Sequence, residues 1–422
     1  MDYFITLIFL LLSSSANAIS HNDYIWFGIL VLMSIYALVK KQFKVKDLKV
    51  FGLFSLVYLL YVGIRYFIVV NFFGVNIDLE FLQSDVLFLF KYGLLTFVYC
   101  IILREKLIDN VIKVMLHLTI IDLVIYLFQV AGFADVIYSF SESLGLPKAN
   151  TIPGFTNFII FSFTKGLHEY RNSGFVWEPG AYGCFLTITL LFHFFRNKFR
   201  FATIAIIFIV AIITTFSTTN YLALFIVFFL AYRYRVPKVN LWVVLMIPAF
   251  IILFMTIPVL GQKIQAVYDD DMDGLKHFKE ISMYHKKHSE QIPLNRFASM
   301  TYLEDNLGYN LILGLSNKYD AVITKQYNVN ISNGIFDFLA KFGVIGLLFL
   351  VFGYVKLCAN FLKRKEYLVY AVLVLLAISF GEPILFLPLF LVFIFLPFLT
   401  VDFGKLEKKR PLGDKKPVRA IA

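Results

Sequence analysis

Charge is scarce in this chain. Of 422 residues only 16% are Asp, Glu, Lys or Arg, whereas 59% are hydrophobic and 18% aromatic, with a mean hydropathy of +0.77. A soluble fold cannot hide that much apolar surface, which excludes a soluble enzyme or binding module and points to a polytopic membrane protein. Cysteine is scarce too. Cys100, Cys184 and Cys358 each lie in an apolar run and no CxxC spacing occurs, so they read as buried thiols and neither a disulfide framework nor a thiolate zinc site is expected. No Gly-rich phosphate loop and no nucleotide-binding domain are present, which argues against ATP-driven transport. The net charge of +11 is not a nucleic-acid footprint, because no long basic patch interleaves with aromatics on a soluble domain. The loop histidines His277, His285 and His288 form no convincing metal set, and His117 and His193 read as packed polar residues within spans.

What charge there is has a pattern. Basic clusters at Lys40–Lys49, Arg104–Lys113, Arg196–Arg200, Arg233–Lys238, Lys363–Lys365 and after Lys405 alternate with apolar runs. Those runs lie near 3–19, 23–39, 50–70, 85–103, 111–132, 179–195, 201–217, 219–232, 239–260, 332–361, 367–381 and 383–400. An all-α bundle of about twelve transmembrane helices follows, each run close to the ~20 residues a bilayer requires. With that count every basic cluster falls on one side, as the positive-inside rule demands, and both termini are cytoplasmic. Ser13–Ile19 resembles a signal-peptide cleavage region, but Met1–Phe4 carries no positive charge and a second apolar run follows at once, so an uncleaved span is expected. The chain then reads as one membrane-embedded domain over 1–422. It has outer loops at 133–178 and 261–331 and a cytoplasmic basic tail at 401–422. The loops contain amphipathic stretches, Phe155–Leu167 and Tyr302–Leu313, suited to lying flat at the interface.

The most distinctive segment is Arg171–Gly183, RNSGFVWEPGAYG, which sets an arginine and a glutamate in a Gly/Pro-rich turn at the mouth of an apolar run. Charge beside hydrocarbon is expensive and marks function by default. Arg171, Gly174, Glu178-Pro179-Gly180 and Tyr182, followed by a helix, resemble the signature of bacterial O-antigen polymerases of the Wzy type. Ser217-Thr218-Thr219 resembles that family's Ser/Thr turn. Asn310–Gly314 (NLILG) resembles its NPLLG element, and Ser332-Asn333 with Phe338–Gly346 (FLAKFGVIG) resembles the start of its next helix. The resemblance covers roughly 150–350.

It implies a polyprenyl-diphosphate-dependent glycosyltransferase in the bacterial inner membrane. At the periplasmic face such an enzyme moves the growing glycan from undecaprenyl diphosphate to the non-reducing end of a new lipid-linked repeat unit, with a groove between helices for the polyprenyl tail. The expected partners are the undecaprenyl-diphosphate-linked oligosaccharide, membrane lipid, a chain-length regulator and a flippase. No metal and no other cofactor is expected, since arginines can take over charge neutralisation. Two alternatives stand beside it. An O-antigen ligase typically shows a histidine where this chain has Ser332-Asn333. A flippase or transporter usually shows paired broken helices in two halves, and none is visible.

The chemistry names candidate residues. A diphosphate leaving group calls for the planar donor fork of arginine, so Arg171 and Arg296, one per loop, are the candidates, with Lys286 and Lys287 as lesser ones; interfacial anchoring is the alternative role. An acceptor hydroxyl calls for a carboxylate near hydrocarbon. Glu178 fits, and equally fits a role at the start of a helix with Pro179 in its first turn. Asp337 is a second carboxylate, or polar glue between helices. Trp177, Tyr182, Tyr302 and Asn333 are candidate sugar contacts, the aromatics being equally at home in an interfacial belt. Ser217–Asn220 suits phosphate or helix ends.

Two features stand apart. Asp269–Glu280 (DDDMDGLKHFKE) fits the EF-hand loop pattern, except that Lys276 occupies a position normally aliphatic; an acidic solvated turn is the plainer reading. Arg65, Lys91, Asp122 and Glu382 are charges in or beside spans. All four suit the lining of a polar pathway; Arg65 and Lys91 lie near enough to the outer ends to snorkel instead, Asp122 is deep and expected to find a polar partner, and Glu382 marks a hairpin between the last two spans.

Overall fold

The computed structural model describes residues 1–72, 79–147, 154–236, 263–277, 292–319, 329–362 and 364–401. The run at 239–260, Glu280, His285, Lys286, Lys287, His288 and the basic tail beyond Val401 lie outside them.

Helices dominate. In chain order they are α1 (Asp2–Ser13), α2 (Asp23–Val39), α3 (Val45–Asn71), α4 (Leu79–Phe88), α5 (Leu95–Leu103), α6 (Leu107–Phe128), α7 (Ala134–Ser143), α8 (Pro179–Arg196), α9 (Thr203–Thr214), α10 (Thr218–Arg235), α11 (Lys263–Lys276), α12 (Arg296–Leu307), α13 (Gly334–Ala359), α14 (Lys365–Gly381) and α15 (Pro388–Phe395). By length and composition, three helical stretches among the described residues can cross a membrane: Val45–Asn71, Leu79–Ser143 and Gly334–Ala359. Helices occupy the other expected runs that are described, but several are too short to span hydrocarbon by themselves, so helix length alone does not carry twelve crossings.

Local chemistry explains the breaks. Pro179 and Pro388 open their helices, where a missing N–H costs nothing. A π-helical turn at Leu89–Leu94 joins α4 to α5, and another at Gln129–Phe133 joins α6 to α7. Within α13, Gly343 takes φ +65° and kinks the helix. A Cβ there would lie 2.4 Å from the Ile312 carbonyl oxygen, so only glycine lets the Asn310–Leu313 turn dock. Tyr61 Oη clips the join by donating to the Phe342 carbonyl at 2.9 Å. The NLILG and FLAKFGVIG elements, read separately in the sequence, therefore pack on one another.

The helix α8 is the hub, with all of its residues buried. It packs against α6, α9, α10 and α14. On the periphery α3 turns Leu53, Leu56, Leu60, Ile64 and Phe67 outward, the reverse of a water-soluble helix and the expected result when lipid is the solvent. Arg65 does not snorkel. It is buried against Asp85 and donates to the Lys341 carbonyl at 2.7 Å, a place that satisfies its charge inside the protein.

Polar contacts sort the bundle into two ends. At one end Arg104 pairs with Asp47 at 2.6 Å and donates to the Thr400 carbonyl, Arg196 is paired with Asp109, and Arg233 approaches Glu366. The basic clusters are thus neighbours. The helices α8 and α14 run between this end and the one bearing Glu178 and Glu382.

One expectation changes in the outer segments. Phe155–Leu167 is not an interfacial helix: Phe155–Asn157 (β1) and Ser162–Thr164 (β2) form an antiparallel hairpin, with Phe155, Phe161 and Phe163 buried. Its β-branched and aromatic residues find cover on a pleat rather than on a membrane. A second pair, Ile292–Leu294 (β3) with Val329–Ile331 (β4), is parallel and sets Leu294 opposite Ile331. The helices α12 and α13 begin two and three residues beyond that register, so the pair places Arg296 beside Asn333.

Candidate functional site

Five short segments converge at the end away from the basic clusters: Arg171–Gly180, Ser217–Asn220, Asn295–Arg296, Ser332–Gly334 and Gly381–Pro383. Each is the start or end of a helix, so each offers backbone groups that the helix cannot satisfy itself.

The centre is an ion pair. Arg296 donates from Nη2 to Glu382 Oε1 at 3.0 Å and from Nε to the Gly381 carbonyl at 2.9 Å. Glu382 is 1% exposed and the Arg296 side chain 33%, so the guanidinium keeps one open edge while the carboxylate is sealed in. Burial, and behind it the Glu178 carboxylate, push the Glu382 carboxyl well above the ordinary carboxylate range; Arg296 pulls the other way.

Glycines make room for this carboxylate. A Cβ on Gly180 would sit 1.9 Å from Glu382 Oε1, and one on Gly334 would sit 1.8 Å from the Glu382 carbonyl oxygen. The Glu-Pro-Gly, Asn-Gly and Gly-Glu-Pro sequences are therefore three sides of one joint. The Ser217–Asn220 turn is the fourth. Asn220 donates to the Gly180 carbonyl at 2.8 Å, and Thr219 packs on Gly381. Ser217 makes no capping bond to α10; its hydroxyl meets that of Thr219 at 3.1 Å, so the turn ties α10 to α8 through Asn220.

Arg171 and Glu178 complete the cluster. Arg171 is half-buried, donates from Nε to the Thr215 carbonyl at 3.0 Å, and faces Glu178, Glu382 and Arg296 electrostatically. Glu178 precedes Pro179 at the start of α8, but its side chain makes no capping bond, so the helix-start role does not consume it. It faces Arg171 and Arg296 and lies within hydrogen-bonding reach of Glu382. The three residues assigned catalytic roles from the sequence are in one place.

The proposed sugar contacts divide. Trp177 is half-buried and packs on the main core. Tyr182 is fully buried, with its hydroxyl donating to Asp122 at 2.9 Å, so it offers no face to a sugar and instead supplies the polar partner expected for Asp122. Tyr302 is 8% exposed within a second core formed by Leu294, Leu303, Leu307 and Leu315. Asn333 caps α13, accepting from Ile335 and Phe336, and donates to the Arg296 carbonyl at 3.1 Å. Asp337 accepts from Tyr319, in the turn before β4, at 2.8 Å and from Lys341, one turn on in the same helix, at 2.8 Å, so both its oxygens are engaged. Tyr182, Tyr302, Asn333 and Asp337 are thus buried rather than lining the site, and of the four Asn333 contacts the cluster, through the Arg296 carbonyl.

The acidic segment is a further correction. Residues Asp269–Lys276 are helical, within α11, which removes the turn that an EF-hand loop and a solvated acidic turn both need. Asp271 is instead 4% exposed and accepts from the Phe297 and Ala298 backbone N–H groups at 3.1 and 3.4 Å. It caps the helix that presents Arg296. Among the described residues no cluster of metal-ligating side chains occurs.

Glu382 is the residue that sequence reading undervalued, as a hairpin marker. Its signal was a lone acidic residue between two apolar runs, flanked by Gly and Pro. No family model matches the chain, and neither a curated protein nor a solved structure matches it.

Proposed function

We propose that this protein is a polymerase of lipid-linked O-antigen or related surface-polysaccharide repeat units. It would be an inner-membrane glycosyltransferase with about twelve spans, both termini in the cytoplasm, and the Arg171–Glu178–Arg296–Glu382 cluster at the periplasmic face. The observation that carries this reading is the meeting of Arg171 and Arg296, distant in sequence, beside Glu178 at one end of an apolar bundle. Two partly buried arginines side by side suit the oxygens of a diphosphate leaving group. Glu178 is placed to take the proton of an acceptor hydroxyl as the sugar–oxygen bond to the diphosphate breaks.

A cleft supports the lipid half of the substrate. It has a volume of about 450 Å³ and lies between α3, α13 and α15, lined by Phe54, Tyr58, Phe338, Phe342, Phe349 and Phe395 among others. No residue of the charged cluster lines it, and its walls are almost wholly apolar. It therefore suits a polyprenyl tail and not a glycan or a diphosphate.

The test is a lipopolysaccharide gel of the source strain with the gene deleted, beside the parent and a complemented strain. Loss of the ladder, with one repeat unit still on the core, is the expected result, and complementation with Arg171→Ala or Glu178→Gln should not restore it. Loss of all O-antigen, single unit included, would favour the ligase or flippase alternatives. An unchanged ladder would reject all three for this glycan.

A further inference from the structure

The Glu178–Glu382 contact is not accounted for by charge pairing alone. Glu382 Oε1 is taken by Arg296, whereas its Oε2 is buried and without a hydrogen-bond partner among the described residues. Glu178 stands two residues before Gly180, whose Cβ position would fall 1.9 Å from Glu382 Oε1, which makes its carboxyl the neighbour of Glu382. Two carboxylates are both acceptors, so this approach is attractive only when one of them carries a proton. The other groups facing the pair are Arg171, Arg296 and Cys184, with His168 facing Glu178. Cys184 gives its thiol proton to the Gly180 carbonyl at 3.2 Å.

We propose that Glu178 and Glu382 hold one proton between them, and that Glu382 is the positioning residue that fixes Arg296 and sets Glu178 as the proton acceptor. This deepens the polymerase reading and rests on it for the chemical step. With one shared proton the cluster carries two guanidinium charges against one carboxylate charge, a net positive site for a diphosphate. With both carboxylates ionised the cluster would be neutral.

The step then balances. The acceptor hydroxyl oxygen forms the new bond to the anomeric carbon, and its proton passes to Glu178. The bond from that carbon to the diphosphate oxygen breaks, and the electron pair leaves with the diphosphate. The carboxyl pair goes from one negative charge to none while the leaving group gains one, so charge moves from the glutamates to the guanidiniums' side of the site without a net change. Later loss of the proton to water resets the pair.

The proton is observable without any substrate. Infrared difference spectra of the purified full chain in detergent at neutral pH, wild type against Glu382→Gln, Glu178→Gln and the double variant, isolate the protonated-carboxyl stretch of this pair from all others. The expected result is that each single variant loses the same one-carboxyl band and that the double variant loses no more, because one proton belongs to both residues. A band lost in Glu382→Gln but kept in Glu178→Gln, or no band lost in either, overturns the proposal. Glutamine is isosteric and fits against Gly180; should Glu382→Gln fail to accumulate, the half-buried Glu178→Gln alone must still lose the band. Gels of the same variants separate the two readings. A shared-proton signature together with a ladder that is intact in the deletion strain and in both glutamine variants keeps the pair and rejects the polymerase.

Discussion

Gly180→Ala is the sharpest perturbation of the site, because two effects of opposite sign compete. Gly180 lies in the first turn of α8, where helix propensity alone favours alanine by up to about 1 kcal/mol. The new Cβ, however, would lie 1.9 Å from Glu382 Oε1 and 2.8 Å from its Cδ. Reaching ordinary contact requires the atoms to part by about 1.5 Å. Glu382 is sealed in at 1% exposure, so it cannot swing into solvent. Such overpacking costs about 1–3 kcal/mol. A displacement of that size also breaks the 3.0 Å bond to Arg296, and a hydrogen bond to a charged group contributes about 1.5–3 kcal/mol. The clash wins over propensity: a net loss of roughly 2–4 kcal/mol is expected, with activity down about 10²-fold because the cluster is misplaced by an ångström or more. Thermal unfolding in detergent and the polysaccharide ladder are the assays. The combined Gly180→Ala, Glu382→Ala variant removes the clashing carboxylate and should recover the overpacking share of the loss, but neither the share lost with the Arg296 bond nor the activity. Equal or higher stability in Gly180→Ala, with a normal ladder, would refute the argument.

Other perturbations follow from single contacts. Arg296→Lys keeps a charge but loses the fork that holds the Gly381 carbonyl and Glu382 together, so the ladder should shorten to single units although the protein accumulates normally; a full ladder in Arg296→Lys would show that the fork is dispensable. Asp271→Ala removes the cap from α12 and should cost about 1–2 kcal/mol, read as a lower thermal midpoint, with no effect of added calcium in wild type or variant. A midpoint that climbs with calcium would restore the EF-hand reading. Gly334→Ala forces a Cβ into backbone, 1.8 Å from the Glu382 carbonyl, and should prevent accumulation altogether; a stable Gly334→Ala protein would contradict the tight joint. The Glu382 carboxyl is raised above its unfolded range by burial and by Glu178, so folding takes up a proton there. Its contribution is full below the unfolded value of about 4.3 and declines as pH climbs through the raised one. The wild-type midpoint should fall relative to that of Glu382→Gln over that climb, and a difference independent of pH would show that no proton is taken up.

Legibility differed between residues for physical reasons. The helices could be read because apolar length and basic punctuation are local properties, and Pro179 announces a helix start in the sequence itself. Arg171, Glu178 and Arg296 could be read because charge next to hydrocarbon is rare enough to stand out. The aromatic and amide candidates were read less well. Tyr182, Tyr302 and Asn333 carry side chains that serve a sugar or a core equally, and only their burial distinguishes the two uses. The acidic run misled because ligand spacing in a loop and one face of a helix can share the same residues; α11 resolved the conflict when Asp271 found two N–H groups on α12 to cap.

The sequence by itself determined the apolar, helical class and singled out Arg171, Glu178 and Arg296 as charges beside apolar runs, since those follow from composition and from the energetic cost of charge in an apolar chain. Tertiary structure decided which charges meet. Glu178, Arg296 and Glu382 lie on three separate helix ends, and no spacing in the chain encodes their approach. It depends on a parallel strand pair that aligns α12 with α13, on glycines at 180 and 334 that leave room for one carboxylate, and on an asparagine at 220 that ties α10 to α8. Close approach between distant segments is a property of packed surfaces, where a single methyl group is enough to hold two helices apart.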